Sequence, residues 1–174
     1  MKYIQKDTEP IPLTSYRASA NRSSTTLYDD YPYKDGLRQQ LLQEQGCICC
    51  YCMQRISDEI DRTTGQSRMK IEHWAPQSIY NGQNGKPDRR LDYSNLLGAC
   101  RGNEGQPSRL HHCDSRKGDT EIKINPILSI CEQQIYYSFS GEILSSDPDI
   151  TEDLNETLNL NIKPYETIVK HAGM

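Results

Sequence analysis

The feature that most constrains this chain is the run Cys47-Ile48-Cys49-Cys50-Tyr51-Cys52, set in a sequence with little else to build a core from. Only 34% of its 174 residues are hydrophobic, with a single Phe and a single Trp. A domain so poor in apolar side chains usually relies on a metal or on disulfides. The cysteine count is seven, an odd number, which argues against a fully paired disulfide framework. Thiolates serving as metal ligands in a reducing cytoplasm are the better expectation. The run offers two overlapping C-x2-C choices, Cys47/Cys50 and Cys49/Cys52. Either turn can aim two sulfurs at one tetrahedral zinc. The other half-site must come from downstream, where Cys100 and Cys113 are the natural candidates. The preferred set is Cys49, Cys52, Cys100 and Cys113, which leaves Cys47, Cys50 and Cys131 free. Buried thiols or a redox pair are the alternatives for the same run.

A second pattern occupies Lys70 to Gly118. It opens with Lys70-Ile71-Glu72-His73-Trp74-Ala75-Pro76, passes through Asn95-Leu96-Leu97, and closes with His112-Cys113-Asp114-Ser115-Arg116-Lys117-Gly118. Hydrolysis of a phosphodiester needs a base for the water, a cation at the leaving oxygen and a grip on the phosphate. His73 suits the first task, because an imidazole is mostly neutral at neutral pH. Asp114 offers a hard oxygen ligand for Mg2+ or Mn2+. Glu72 alternates away from His73 along a strand, so it reaches a shared cation only if the strand end twists or bulges. Lys117, one turn beyond Asp114, is placed to meet a phosphate. The Asn95 amide can brace the loop between two strands and so orient the imidazole. His111 reads as an exposed loop histidine. His112 is a candidate for zinc or substrate, and Arg116 a candidate substrate contact.

Along the chain, residues 1–35 show no sustained periodicity and read as an extended arm. Asp35 to Gln45 has the pattern of a short amphipathic helix, capped by Asp35 and stopped at Gly46. Arg68–Trp74 and Tyr93–Cys100 read as paired strands, with Arg101–Leu110 an insertion loop and a short helix from Cys113. Glu121 to Pro126 alternates like a short strand. Gln134 to Leu144 reads as a hairpin turning at Ser140-Gly141, and Thr151 to Leu160 as a helix. Tyr165–Met174 carries no assignment. The expected division is an arm at 1–35, a zinc-stabilised core at 36–130 and an acidic extension at 131–174 suited to a partner.

Charge is unevenly spread behind the net value of −4. Residues 46–118 carry 11 Lys and Arg against 8 Asp and Glu, whereas residues 119–174 carry 3 against 10. The site segment is therefore basic only locally, which implies weak unaided affinity for nucleic acid. No apolar run reaches transmembrane length, and Met1-Lys2-Tyr3 leads into no signal-peptide core, so no membrane contact is expected.

The ordered set Cys49-Cys50-Tyr51-Cys52, Glu72-His73-Trp74-Ala75-Pro76, Asn95-Leu96-Leu97, Ala99-Cys100 and Cys113-Asp114-x-x-Lys117-Gly118 resembles the HNH endonuclease superfamily. Within it, the Ile-Glu-His-Trp opening, Asn125-Pro126 and Leu158-Asn159-Leu160-Asn161 resemble the PtuB nucleases of Septu and retron-associated anti-phage systems. The resemblance implies an α+β fold with a ββα-metal core, a structural zinc site, small flanking helices and a hairpin. It implies His73 as general base, Asp114 and Glu72 as ligands of the catalytic cation, Asn95 as a structural residue and four cysteines on zinc. It also implies a nucleic-acid substrate, with DNA favoured and RNA possible, and a PtuA-like ATPase partner. A zinc-stabilised adaptor that binds without cutting is the competing reading, and thiol redox chemistry a third.

Overall fold

A computed structural model describes residues 1–20 and 27–162. The architecture is mixed α and β, with two separate two-stranded antiparallel sheets. In chain order the elements are α1 (Ile11–Ser19), α2 (Lys34–Glu44), β1 (Met69–His73), β2 (Leu96–Cys100), α3 (Asp114–Lys117), β3 (Tyr136–Tyr137), β4 (Ile143–Leu144) and α4 (Pro148–Glu152). A π-helical turn at Asp153–Thr157 continues α4. No described helix is long and apolar enough to cross a membrane.

The hairpin β1–β2 is the centre of the molecule. Its register pairs Met69 with Cys100, Ile71 with Gly98 and His73 with Leu96. Every residue of β2 is buried, because both faces of the hairpin are covered. Leu97 and Ala99 face one core with Tyr51, Ile124, Ile150 and Leu154, while Leu96 faces a second with Leu13, Tyr28, Leu37 and Leu41. Among the described residues, the outer edge of β2 has no third strand. Gln45 takes that place: its Oε1 accepts from the Gly98 amide at 2.6 Å and its Nε2 donates to the Gly98 carbonyl at 2.8 Å.

Three expectations change. Residues 11–19 are helical rather than extended, since proline is tolerated in a first helical turn and Pro12 therefore starts α1 instead of blocking it. The arm covers the body: Leu13 is fully buried and Arg17 donates to the Leu91 carbonyl. The second helix begins at Lys34 without a side-chain cap, and Asp35 lies inside its first turn paired with Arg38. Residues 121–126 form no strand, because no neighbouring strand is available. Their backbone is satisfied piecemeal. Asp153 Oδ2 accepts from the Lys123 and Ile124 amides at 2.6 and 3.2 Å, and the Trp74 indole donates to the Ile124 carbonyl.

The short hairpin β3–β4 falls where the alternation placed it, with Gly141 at φ +84° in its turn. The last helix starts earlier than Thr151, at Pro148, because Asp147 caps it by accepting from the Asp149 and Ile150 amides. Residues 163–174, with the Tyr165–Met174 tail, and residues 21–26 lie outside the described residues.

Asp153 is the sole acceptor for two amides in this region, so Asp153→Ala should destabilise the fold by about 1–3 kcal/mol. Exposed Asp149→Ala should stay within about 0.5 kcal/mol. Urea unfolding of both variants checks the difference.

Candidate metal centre and active site

Four cysteine sulfurs converge from three places. Cys49 and Cys52 sit on a tight knuckle in which the Cys49 amide donates to Gln54 O and the Met53 amide to Cys49 O. Met53 takes φ +62° to close the turn. Cys100 ends β2, and Cys113 precedes α3 with φ +53°. The ligand atoms all lie within 4.8 Å of one another, with Cys49–Cys113 at 3.9 Å and Cys52–Cys100 at 3.8 Å. Zinc–sulfur bonds of ~2.3 Å in a tetrahedron place neighbouring sulfurs about 3.8 Å apart. The donor set and its spacing thus fit a metal ion such as zinc, with Cys49, Cys100 and Cys113 buried and Cys52 half-buried.

The twelve residues between Cys100 and Cys113 do not spoil this pairing, because the insertion is pinched at its base. The His112 amide donates to the Gly102 carbonyl, Asn103 reaches Leu110 O, and Ser115 Oγ reaches Arg101 O. Gly102 is required there: a Cβ would fall 1.9 Å from the His112 carbonyl oxygen, at φ +54°. From the other side, Cys113 N donates to Leu158 O and Asn159 to the Arg109 and His111 carbonyls. The remaining thiols stand apart: Cys47 is exposed, buried Cys131 contacts Pro126 O, and burial pushes the Cys50 thiol up.

His112 belongs to this centre rather than to a substrate surface. Its Nδ1 is 3.1 Å from Cys113 Sγ and 4.0 Å from Cys100 Sγ. The cause is local, since the Gly102 clamp on its backbone turns the ring toward the adjacent cysteine. His111 is half-buried, with Nε2 at 2.8 Å from Gln106 O.

The second constellation forms where the end of β1 meets α3. Lys70, Glu72, His73, Asp114 and Gly118 line one cavity of about 300 Å3. Glu72 and His73 alternate along the strand, yet both reach this cavity at the strand end. Glu72 is fully buried and its Oε1 accepts from Tyr51 Oη at 2.8 Å and from Lys117 Nζ at 2.9 Å. Burial, together with a hydrogen bond shared with Asp114, pushes the Glu72 carboxyl up to about 8, against the pull of Lys117. Burial also disfavours the Asp114 carboxylate, but the Glu72 hydrogen bond and the Lys70 ammonium, 2.9 Å away, outweigh it and hold that group low.

Lys117 does not face a phosphate. Its ammonium is buried, paired with Glu72 and donating to the His73 carbonyl at 3.1 Å. A four-residue helix packed against β1 turns this side chain inward, where it neutralises a carboxylate and ties α3 to the strand. Arg116, beside it, is exposed and donates to the Glu156 carbonyl.

His73 is held from two sides. Its Nε2 lies 2.9 Å from the Arg90 carbonyl, so Nε2 carries the proton and Nδ1 keeps the lone pair. Tyr28 meets the ring edge-to-face at 4.4 Å. Burial pushes the imidazole down to about 4 and keeps it neutral. Asn95 braces the same loop: its Oδ1 accepts from Ala75 N at 2.7 Å, and its Nδ2 donates to the Ala75 and Arg89 carbonyls. The amide thereby fixes the peptide next to the carbonyl that orients His73.

Three contributors escaped sequence reading. Tyr51 was eclipsed by the cysteines around it, and Tyr28 sits in a segment without periodicity. Lys70 was legible, since it lies two residues from Glu72 and therefore on the same strand face.

The parent should carry about one metal ion per chain, and Cys49→Ser and Cys113→Ser should each lose it together with the folded far-UV spectrum; elemental analysis and circular dichroism read both. His73 has a folded pKa of about 4 against about 6.5 unfolded. The unfolded state thus binds the extra proton, so this group's contribution is fully favourable above pH 6.5 and declines as pH falls toward 4, by about 3 kcal/mol in all. His73→Gln should remove that increment of acid sensitivity in unfolding titrations between pH 6.5 and 4.

No protein-family model and no curated protein matches this chain in sequence, so its own geometry carries the functional argument.

Proposed function

We propose that this chain is a metal-dependent endonuclease of the HNH, or ββα-metal, type, hydrolysing phosphodiester bonds of nucleic acid. The observation that carries the reading is the shared cavity of His73, Asp114 and Glu72, in which a neutral imidazole whose Nε2 is committed to the Arg90 carbonyl lies beside two carboxyls. In this mechanism His73 takes the proton from the attacking water. The Arg90 carbonyl and Asn95 keep the ring aimed, and Tyr28 limits its rotation. Asp114, the carboxylate that stays ionised, is the principal ligand for Mg2+ or Mn2+, which would stabilise negative charge on the leaving oxygen. Glu72 has one oxygen committed to Tyr51 and Lys117, so its share in the cation is secondary.

DNA is the favoured substrate and RNA the alternative. Action with a PtuA-like ATPase in anti-phage defence follows from the motif resemblance and from the local nature of the basic charge. One observation favours the adaptor reading: the Lys117 ammonium already neutralises Glu72 as a cation would.

The two readings separate in a cleavage assay on plasmid DNA and RNA with Mg2+ or Mn2+, with and without the ATPase partner. His73→Ala and Asp114→Ala should each lower cleavage by at least about 100-fold with unchanged zinc content. Cleavage that is equal in the variants, or absent from the parent with its partner present, leaves the adaptor.

A further inference from the structure

A second groove, of about 620 Å3, opens from the site cavity, and the two share Lys70, Ile71 and Asp114. Arg38 of α2 and Arg101 from the loop after β2 form its cationic walls, and Ile60, Met69 and Ile71 its apolar lining. Three cations thus border a channel that ends at the carboxylate assigned to the catalytic cation.

These cations are not equivalent. Arg101 donates to the Ser67 carbonyl and to the Gln66 and Glu104 side chains, so its fork is spent on holding the loop. Lys70 is held by Asp114 at 2.9 Å, Ser115 Oγ at 3.2 Å and Glu104 at 3.4 Å. Arg38 is different. Its one ion pair is to Asp35, whose side chain is 92% exposed, and such a pair is weak and readily exchanged. Its Nε is buried and meets no hydrogen-bond partner among the described residues. That N–H is enclosed, so an incoming anion meets the outer Nη edge of the guanidinium, where it would displace the exposed Asp35 carboxylate.

We propose that Arg38 binds a backbone phosphate of the nucleic acid, in this groove, flanking the phosphate that is cleaved. The chemistry matches: a phosphodiester presents two unesterified oxygens, and a guanidinium edge pairs with them through parallel N–H donors. The apolar lining accepts sugar and base faces beside the phosphates. Because the contact is to phosphate, it is indifferent to base and applies to DNA and RNA alike. α2 lies outside the Lys70–Gly118 motif, so the first half of the chain would contribute substrate grip as well as packing. The assignment rests on the nuclease reading above and deepens it.

The test uses the full chain carrying His73→Ala, which binds without cutting, and no added Mg2+ or Mn2+. Fluorescein-labelled 20-mers of DNA and of RNA are titrated by anisotropy over a series of KCl concentrations. Adding Arg38→Ala should weaken both complexes by about tenfold and lower the slope of log K against log salt by about 0.7–0.9. Arg38→Lys should restore the slope, with only part of the affinity. Arg55→Ala, an exposed arginine outside both cavities, should change neither. Arg38→Gln, with circular dichroism, replaces the alanine variant if that one does not fold.

An unchanged slope on Arg38→Ala, with binding intact, overturns the phosphate contact and leaves the nuclease reading standing. An equal loss on Arg55→Ala also overturns it, by showing a bulk charge effect. A loss confined to one of the two nucleic acids overturns the phosphate assignment in favour of a base or sugar contact. Failure of the His73→Ala chain to bind either probe at the lowest KCl concentration, alone and with the ATPase partner, overturns this contact, while the nuclease reading is judged by the cleavage assay.

Discussion

Everything near the site depends on four sulfurs meeting at one point. They come from the knuckle, the end of β2 and the start of α3, three segments with little else to hold them together. A hairpin of two five-residue strands is marginal in water by itself. A helix of four residues has no stability of its own. A metal ion held by those sulfurs would join both and replace the core that the composition denies this chain. It also explains why β2 is buried on both faces while carrying residues as small as Gly98 and Ala99: the knuckle and Gln45 pack where a further strand would lie.

The pair Lys117–Glu72 is the second tie, and it works differently. Both side chains are withdrawn from water, with 0% and 3% of their surface exposed. Deleting Glu72 would strand the Lys117 ammonium in the interior, and deleting Lys117 would leave a buried carboxyl that burial already pushes toward its neutral form. Such a pair adds little net stability over an apolar replacement, but it fixes orientation. Lys117 reaches both the Glu72 carboxylate and the His73 carbonyl, so α3 can dock on β1 in one rotation only. That rotation points Asp114 toward the cavity shared with His73. The carboxylate and the imidazole are brought together by a lysine that touches neither solvent nor substrate.

What was legible in the sequence is what depends on spacing. The cysteine set, the hairpin within Arg68–Trp74 and Tyr93–Cys100, and the bracing role of Asn95 follow from short-range patterns and agree with the geometry, except that Tyr93–Asn95 forms a 3-10 turn before the second strand begins at Leu96. Lys117 was placed correctly along the chain but aimed wrongly, and of the two roles open to His112 the geometry favours the one beside the cysteines. The direction of a side chain on a one-turn helix, or beside a positive-φ cysteine, is decided by packing that spacing does not encode. Residues 121–126 alternate as a strand should, yet the partner is a carboxylate and an indole rather than a strand. At residues 11–19 the prolines masked a helix, because their meaning depends on whether they fall before or within the first turn.

The pinch below the insertion at residues 101–112 bears on how a protein of this plan can change over time. The Gly102–His112 and Ser115–Arg101 bonds close that loop at its neck, so its outer part hangs from a fixed frame. Doubling the length of a flexible loop costs only about 0.6 kcal/mol, since closure entropy grows logarithmically. Residues beyond the neck are therefore free to lengthen, shorten or alter composition without displacing Cys100 or Cys113. The segment can diversify its reach beside a site that stays where the sulfurs hold it.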